Sequence, residues 1–143
     1  MRHISYRKDN DFAYSLTIRS DSRGELAEFM KQVHFGQLFM SRTKPGVTRG
    51  NHFHHTKVEK FLVVEGDAVI RFRRIDGTEI IEYRVSGRDF KVVDIPPGYT
   101  HSIKNIGPGE LITLFWAGQL FDPKTSDAYP LDVVEGDKKE TNS

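Results

Sequence analysis

Apolar positions recur with a period of about two along most of this chain. Short alternating or wholly apolar runs lie at residues 36–41, 57–65, 68–75, 79–85, 91–95, 101–106 and 111–117, and each predicts a β-strand. Turn formers separate them: Pro45-Gly46, Glu65-Gly66-Asp67, Asp76-Gly77, Pro97-Gly98 and Gly107-Pro108-Gly109. Asp76-Gly77 is expected to close a hairpin, because glycine takes the positive φ of a primed turn. About seven strands at this spacing predict a sandwich or jelly roll. One segment departs from the period: in E-L-A-E-F-M-K-Q-V, residues 25–33, the apolar residues Leu26, Phe29, Met30 and Val33 fall at helical spacing. The expected fold class is all-β, with one short N-terminal helix.

The first 18 residues carry Tyr6, Phe12, Tyr14, Leu16 and Ile18, too many apolar groups for a free arm. They predict a strand that pairs with the barrel or with a partner subunit. Residues 19–134 form the expected domain, and residues 135–143 (E-G-D-K-K-E-T-N-S) read as a disordered polar tail. A length of 143 residues suits one domain with a single core. Lys and Arg number 21 against 20 Asp and Glu, a net charge of +1, so no nucleic-acid or membrane surface is predicted. The lack of cysteine excludes disulfides, thiolate ligands and a cysteine nucleophile, and fits a reducing compartment. With no apolar leader in M-R-H-I-S-Y-R-K-D-N, a cytoplasmic location is the expectation.

Chemistry concentrates in two stretches, G-V-T-R-G-N-H-F-H-H-T-K-V-E-K-F-L-V-V-E-G from position 46 and P-P-G-Y-T-H-S-I-K-N from position 96. His52 and His54 are two apart, so on a strand both imidazoles leave from one face. Glu59 opens an apolar run, and His101 comes from a distant strand. A small barrel could gather the four around one ion, and three imidazoles with one carboxylate suit Zn²⁺, Fe²⁺, Mn²⁺ or Ni²⁺. His55 points away from that face if the strand is regular. His3 and His34 have no constellation around them.

The spacing Gly, five residues, H-x-H, four residues, Glu, six residues, Gly resembles the first cupin motif, and P-x-G-x-x-H-x-x-x-N resembles the second. Cupins often carry a glycine six residues before that proline, where this chain has Phe90 and its nearest glycine is Gly87. A narrower resemblance rests on R-S-D-S-R-G-E-L-A-E-F-M-K (19–31), G-Q-L-F (36–39), P-G-V-T-R-G-N-H-F-H-H-T-K-V-E-K-F (45–61) and F-W-A-G-Q-L-F-D-P (115–123). These look like the C-terminal cupin domain of the CapF family of capsular polysaccharide enzymes. The resemblance implies a jelly-roll β-barrel that epimerises C3 of a UDP-linked 4-keto-6-deoxy sugar, with reduction at C4 left to a separate reductase domain using NADPH. The family pattern usually continues after W-A with N-E and later N-P-D-T, where this chain has Gly118-Gln119 and Lys124-Thr125-Ser126-Asp127-Ala128-Tyr129. If that loop shapes the sugar pocket, the substrate differs.

On this reading His52, His54, Glu59 and His101 hold one divalent metal, zinc by preference, and no nicotinamide cofactor binds. Lys57 shares a parity with Glu59, Phe61 and Val63 and would face the cavity, where it could orient a substrate oxygen or act as a base; a solvent-facing lysine is the plain alternative. Tyr99 is the second candidate catalytic group, as proton donor or stacking ring; Tyr83 also carries a phenol. Arg49 could clamp a pyrophosphate, but Arg49 and Asn51 have the parity opposite to His52. Ala68, Ile70 and Phe72 alternate with Val69, Arg71 and Arg73, whose basic face reads as solvated. Trp116 and Phe121 read as barrel core or dimer face. The expected partners are a nucleotide sugar, a separate reductase and a second copy in a homodimer. A metal-dependent dioxygenase and a non-catalytic sugar-binding or dimerisation module are the competing functions, since fold alone does not choose among them.

Overall fold

In chain order the strands are β1 (His3–Tyr6), β2 (Ala13–Ser15), β3 (Ile18–Asp21), β4 (Gly24–Ala27), β5 (Gln37–Thr43), β6 (Thr48–Phe53) and β7 (Glu59–Glu65). There follow β8 (Asp67–Arg74), β9 (Glu79–Ser86), β10 (Lys91–Ile95), β11 (Tyr99–Asn105), β12 (Leu111–Ala117) and β13 (Tyr129–Pro130). This computed structural model describes residues 3–6 (as a backbone pairing), 12–119 and 127–134. The expected polar tail and Phe121 lie outside the described residues. Two sheets carry the fold, one ordered β1-β9-β8-β11-β6-β13 and the other β2-β10-β7-β12-β5, with β3-β4 as a separate hairpin. The arrangement is that of a jelly roll.

Alternation decides which side chains meet between the sheets. Phe61 and Val63 from β7 and Val93 and Ile95 from β10 face Ala68, Ile70 and Phe72 from β8, with Tyr83 from β9 and Ile103 from β11. Burying this many large apolar groups at roughly 1.5–3 kcal/mol each is the main force holding the sheets together. Phe12 plugs one end, its ring 5.0 Å from Phe72 and 5.1 Å from Tyr99. Its N–H donates to the Tyr83 hydroxyl at 3.0 Å. β1 and β2 pair within the chain, with β9 and β10 respectively.

The expected helix over residues 25–33 does not form; the described residues contain no helix. Residues 25–27 belong instead to β4, which pairs with β3 so that Ile18 lies opposite Ala27. The turn between them is fixed by the Arg23 N–H donating to Asp21 Oδ1 at 2.8 Å and by Gly24 at φ 131°. That hairpin takes the first turn of the would-be helix, and nine residues nucleate poorly alone. Nor is there a surface for the apolar stripe, since Leu26 is 69% and Val33 95% exposed.

Two turns also differ from expectation. Gly77 is not among the positive-φ glycines. It ends a longer β8–β9 connection, its N–H donating to the Arg74 carbonyl at 3.0 Å, the place glycine takes at the last position of a type I turn. The second is a bulge in β6: His52 pairs with His101, but Gly50 pairs with Ser102, leaving Asn51 outside the ladder. Gly50 and Asn51 adopt φ 95° and 60°. The extra residue puts Arg49 and His52 on the same face.

The outer face of β8 is covered, contrary to its reading as solvated. Arg73 is buried and donates to the carbonyls of Asp132 at 2.7 Å and Val133 at 3.1 Å. Arg71 donates to the buried Glu82 at 2.6 Å. Asn51, displaced by the bulge, accepts at its side chain from Val133 N–H at 3.0 Å and at its carbonyl from Leu131 N–H at 2.8 Å. The bulge therefore serves both faces, aiming Arg49 inward and docking the C-terminal segment outside.

Replacing Gly50 by alanine places a Cβ 2.8 Å from the His101 carbonyl oxygen at a left-handed φ. The expected loss is about 1–3 kcal/mol. A urea titration would show it as a lowered midpoint, and an unchanged midpoint would contradict the bulge.

Candidate metal centre

Strand β6 delivers His52, the loop after it His54, the first residue of β7 Glu59, and β11 His101. The bulge pairing sets His52 directly opposite His101, with ring centroids 4.7 Å apart. One ligand atom from each of the four lies within 4.8 Å of the others. His54 Nε2 is 3.0 Å and His101 Nε2 3.7 Å from Glu59 Oε1. His54 and His101 are each 1% exposed and Glu59 6%, so water does little to screen them. The second motif supports the first through its backbone: Gly98 N–H donates to the His54 carbonyl at 2.9 Å, from a φ of 82°.

Protonation follows from the hydrogen bonds. His54 Nδ1 is 2.5 Å from the Asp127 main-chain carbonyl, which can only accept, so Nδ1 carries a proton. In a neutral ring Nε2 then presents a lone pair to the Glu59 carboxylate, and the two repel. A second ring proton relieves this, and so does a metal cation between the atoms. In the protonated arrangement burial raises the Glu59 pKa, but the hydrogen bond from His54 and the neighbouring His101 and Lys57 outweigh it and hold the pKa below the ordinary value. Burial, reinforced by neighbouring imidazoles, lowers the His52 pKa to about 4 and that of His101 to about 3. Both rings are thus neutral near pH 7, the form that ligates metals. Neutral imidazoles with a buried carboxylate fit a divalent transition metal.

These groups floor a cavity of about 360 Å³. One wall is aromatic: Phe39 stacks on Phe115 at 5.0 Å with 16° between the rings, and Phe61 lies 5.4 Å from Phe115. Gln37, Ser41, Arg49, Lys57 and Thr113 add polar groups, alongside Ile103, Ala117 and Ala128. Lys57 lines the cavity with the four clustered residues, whereas Tyr99 does not, being packed against Phe12 and Phe72. Tyr83 lies in the core, and the buried Trp116 donates its indole N–H to the Phe35 carbonyl. His55 sits beside Tyr129 at 4.8 Å and takes no place in the lining; His34 is exposed.

Arg49 is a lining residue that strand parity set aside. Its Nε donates to Thr43 Oγ1 at 2.9 Å and a terminal nitrogen to the Arg42 carbonyl at 3.0 Å. The signal for it was Gly50, since a lone glycine inside a strand pattern marks a bulge. Ala128 joins the lining from beyond β12, next to Asp127, and no spacing rule points to either.

Fold and site together define a cupin with a three-histidine, one-glutamate cluster. The chain belongs to the polysaccharide biosynthesis C-terminal domain family, whose model matches residues 19–129. It is 37% identical over 134 residues to a UDP-2-acetamido-2,6-β-L-arabino-hexul-4-ose reductase of Pseudomonas aeruginosa, covering 94% of this chain and 36% of that protein. Among solved structures it is similar to the capsular polysaccharide assembling protein CapF of Staphylococcus aureus, with 50% identity, a TM-score of 0.69, and coverage of 87% of this chain and 36% of that one. The chain thus spans about a third of the length of these relatives. The same fold occurs in the dTDP-6-deoxy-D-glucose-3,5-epimerase RmlC of Legionella pneumophila, at 20% identity and a TM-score of 0.68 over 79% of this chain and 69% of that one.

The low histidine pKa values set a pH dependence for the metal-free protein. Below about 6.5 the unfolded rings are protonated while folded His52 and His101 stay neutral down to about 4 and about 3. The unfolded state then binds more protons, so stability falls as pH falls through that window and levels off beneath it. The urea midpoint of metal-free protein is expected to drop between about pH 7 and pH 5, where ordinary carboxylates still hold their charge. A flat midpoint across that interval would contradict neutral buried rings.

Proposed function

We propose that this chain is a metal-dependent epimerase acting at C3 of a UDP-linked 4-keto-6-deoxy sugar, in the synthesis of a surface polysaccharide. One observation carries the reading: the cation-demanding cluster of His52, His54, Glu59 and His101 shares a single cavity with Lys57 and Arg49. The similarity to a hexulose reductase and to CapF supports the substrate class. Zinc is the ion we assign, because a closed set of histidine and carboxylate ligands favours it where no redox step is needed. When bound, it supplies Lewis-acid polarisation to the sugar's C4 carbonyl.

The remaining roles fall to the chain's own residues. Lys57 is the cavity group we assign to take the C3 proton; the C3–H pair moves into the C3–C4 bond and the C4 oxygen becomes an enolate. A proton from solvent adds to the opposite face of C3 and restores the ketone with inverted configuration, and Lys57 releases the proton it took to solvent. Arg49, its guanidinium fixed by Thr43 and the Arg42 carbonyl, binds the diphosphate. The Phe39–Phe115 stack gives a flat apolar wall for a ring of the ligand. Reduction at C4 is the work of a reductase activity such as the one that names the Pseudomonas aeruginosa relative.

In D₂O a UDP-linked 4-keto-6-deoxy N-acetylhexosamine is expected to gain deuterium at C3 without NADPH. Lys57→Met should slow that exchange about 10²–10⁴-fold with zinc content unchanged. Loss of exchange in wild-type protein at full zinc loading would sink the epimerase reading, and oxygen uptake by iron-loaded protein would favour a dioxygenase. Arg49→Ala should raise KM about tenfold or more while changing kcat less, the loss of a charged hydrogen bond being worth roughly 1.5–3 kcal/mol. The double change His52→Ala and His101→Ala should abolish stoichiometric zinc, and retained zinc would place the ion elsewhere.

A further inference from the structure

The loop between β6 and β7 carries His54 and Lys57 and leads into Glu59, so its position sets the geometry of the whole site. Little of its own chain holds it, and hydrophobic packing does not, since residues 55 and 56 are exposed. Its fixed point comes from some 70 residues further on. Asp127 Oδ1 accepts the His55 N–H at 2.9 Å, while Oδ2 accepts the Thr56 N–H at 2.8 Å, the Lys57 N–H at 2.9 Å and the Thr56 hydroxyl at 3.0 Å. Three successive N–H groups aimed at one carboxylate form an anion nest. The same residue's main-chain carbonyl takes the proton of His54 Nδ1. One residue thus ties four consecutive positions of the loop, and both of its polar groups are used.

We propose that Asp127 is the positioning residue of this centre, fixing the His54 tautomer and holding the loop so that His54 Nε2 and the Lys57 amine both face the cavity. The carboxylate locks the loop against residue 127, and that lock keeps the carbonyl within reach of His54 Nδ1. With Nδ1 protonated, Nε2 is the only ring nitrogen of His54 free to ligate, and it already points at Glu59. Although burial opposes ionisation, the three main-chain N–H donors and the Thr56 hydroxyl keep the Asp127 carboxyl well below the usual carboxylate range. The inference rests on the metal-centre reading for its consequence, but the tautomer and the loop can be read without metal.

Asp127→Ala and Asp127→Asn are the variants. The first removes every carboxylate bond; the second keeps one acceptor oxygen and puts an NH₂ against the donors, so its effects should be intermediate. In the metal-free protein, nitrogen-15 spectra of His54 are expected to show a proton on Nδ1 throughout in the wild type and on Nδ1 only in part of the molecules in Asp127→Ala. Amide exchange at residues 55–57 should quicken in step. Zinc affinity by chelator competition should fall about 10–100-fold in Asp127→Ala, as for loss of an outer partner of a metal ligand, with Asp127→Asn between it and wild type. An unchanged His54 tautomer and zinc affinity within about twofold of wild type, with loosened amides, would overturn the positioning role and leave Asp127 as a loop anchor only. If Asp127→Ala fails to fold, Asp127→Asn and Thr56→Val, which removes one of the bonds, give the same graded test. Absence of zinc binding in the wild type would defeat the metal centre and leave the tautomer measurement to decide the role of Asp127.

Discussion

A carboxylate oxygen and an imidazole nitrogen 3.0 Å apart, both buried, with the ring's other nitrogen already committed as a donor, form a contact that needs positive charge between its atoms. Everything else in the site answers to that contact. Neighbouring His52 and His101 are too deeply placed to supply the charge as protons, since burial drives their pKa values to about 4 and about 3. A buried ionised carboxylate with no counter-charge costs several kcal/mol. The same burial that makes the rings good neutral ligands opposes ionisation of Glu59, and a proton shared with His54, or a cation in its place, offsets that penalty.

The β6 bulge converts a sequence motif into that geometry. A regular strand would put Arg49 and His52 on opposite faces; inserting Asn51 puts both inward and sends the Asn51 side chain outward to hold Val133. Glycine at position 50 is the only residue that fits, because the backbone runs against the His101 carbonyl there at positive φ. The cluster is therefore tied to the outer layer of the protein: the residue that docks the C-terminal segment is the neighbour of a residue that lines the cavity.

The strand pattern and the cluster of His52, His54, Glu59 and His101 were legible in the sequence, because period-two burial and H-x-H spacing are local properties. What was not legible depended on long-range covering. Arg71 and Arg73 looked like a solvated stripe, but Arg73 is buried by the arrival of residues 132 and 133, and Arg71 is paired with Glu82 on the next strand. The apolar stripe at Leu26, Phe29, Met30 and Val33 looked like a helix, yet a tight turn at Gly24 spends its beginning on a hairpin. Arg49 was misplaced by counting parity through a glycine that breaks it, a signal present in the sequence. Tyr99 is near His101 in sequence, but its ring meets Phe12, a residue almost 90 positions earlier, which no spacing rule anticipates.

The places where this chain departs from the family pattern can now be set in space. Gly118 donates its N–H to the Val58 carbonyl at 3.0 Å, inside the loop that carries Lys57. A side chain at 118 would press on the Trp116 ring, with its Cβ 3.2 Å away, so the glycine lets β12 leave its sheet close against that loop. Asp127, which falls at the aspartate of N-P-D-T, grips the same loop from the other side. Gly118 and Asp127 thus converge on residues 54–58, Asp127 also through its carbonyl on the His54 ring. How that loop presents Lys57 to the cavity is therefore set from two sides by residues 118 and 127, whereas the pairing of His52 opposite His101 is set by the bulge in β6.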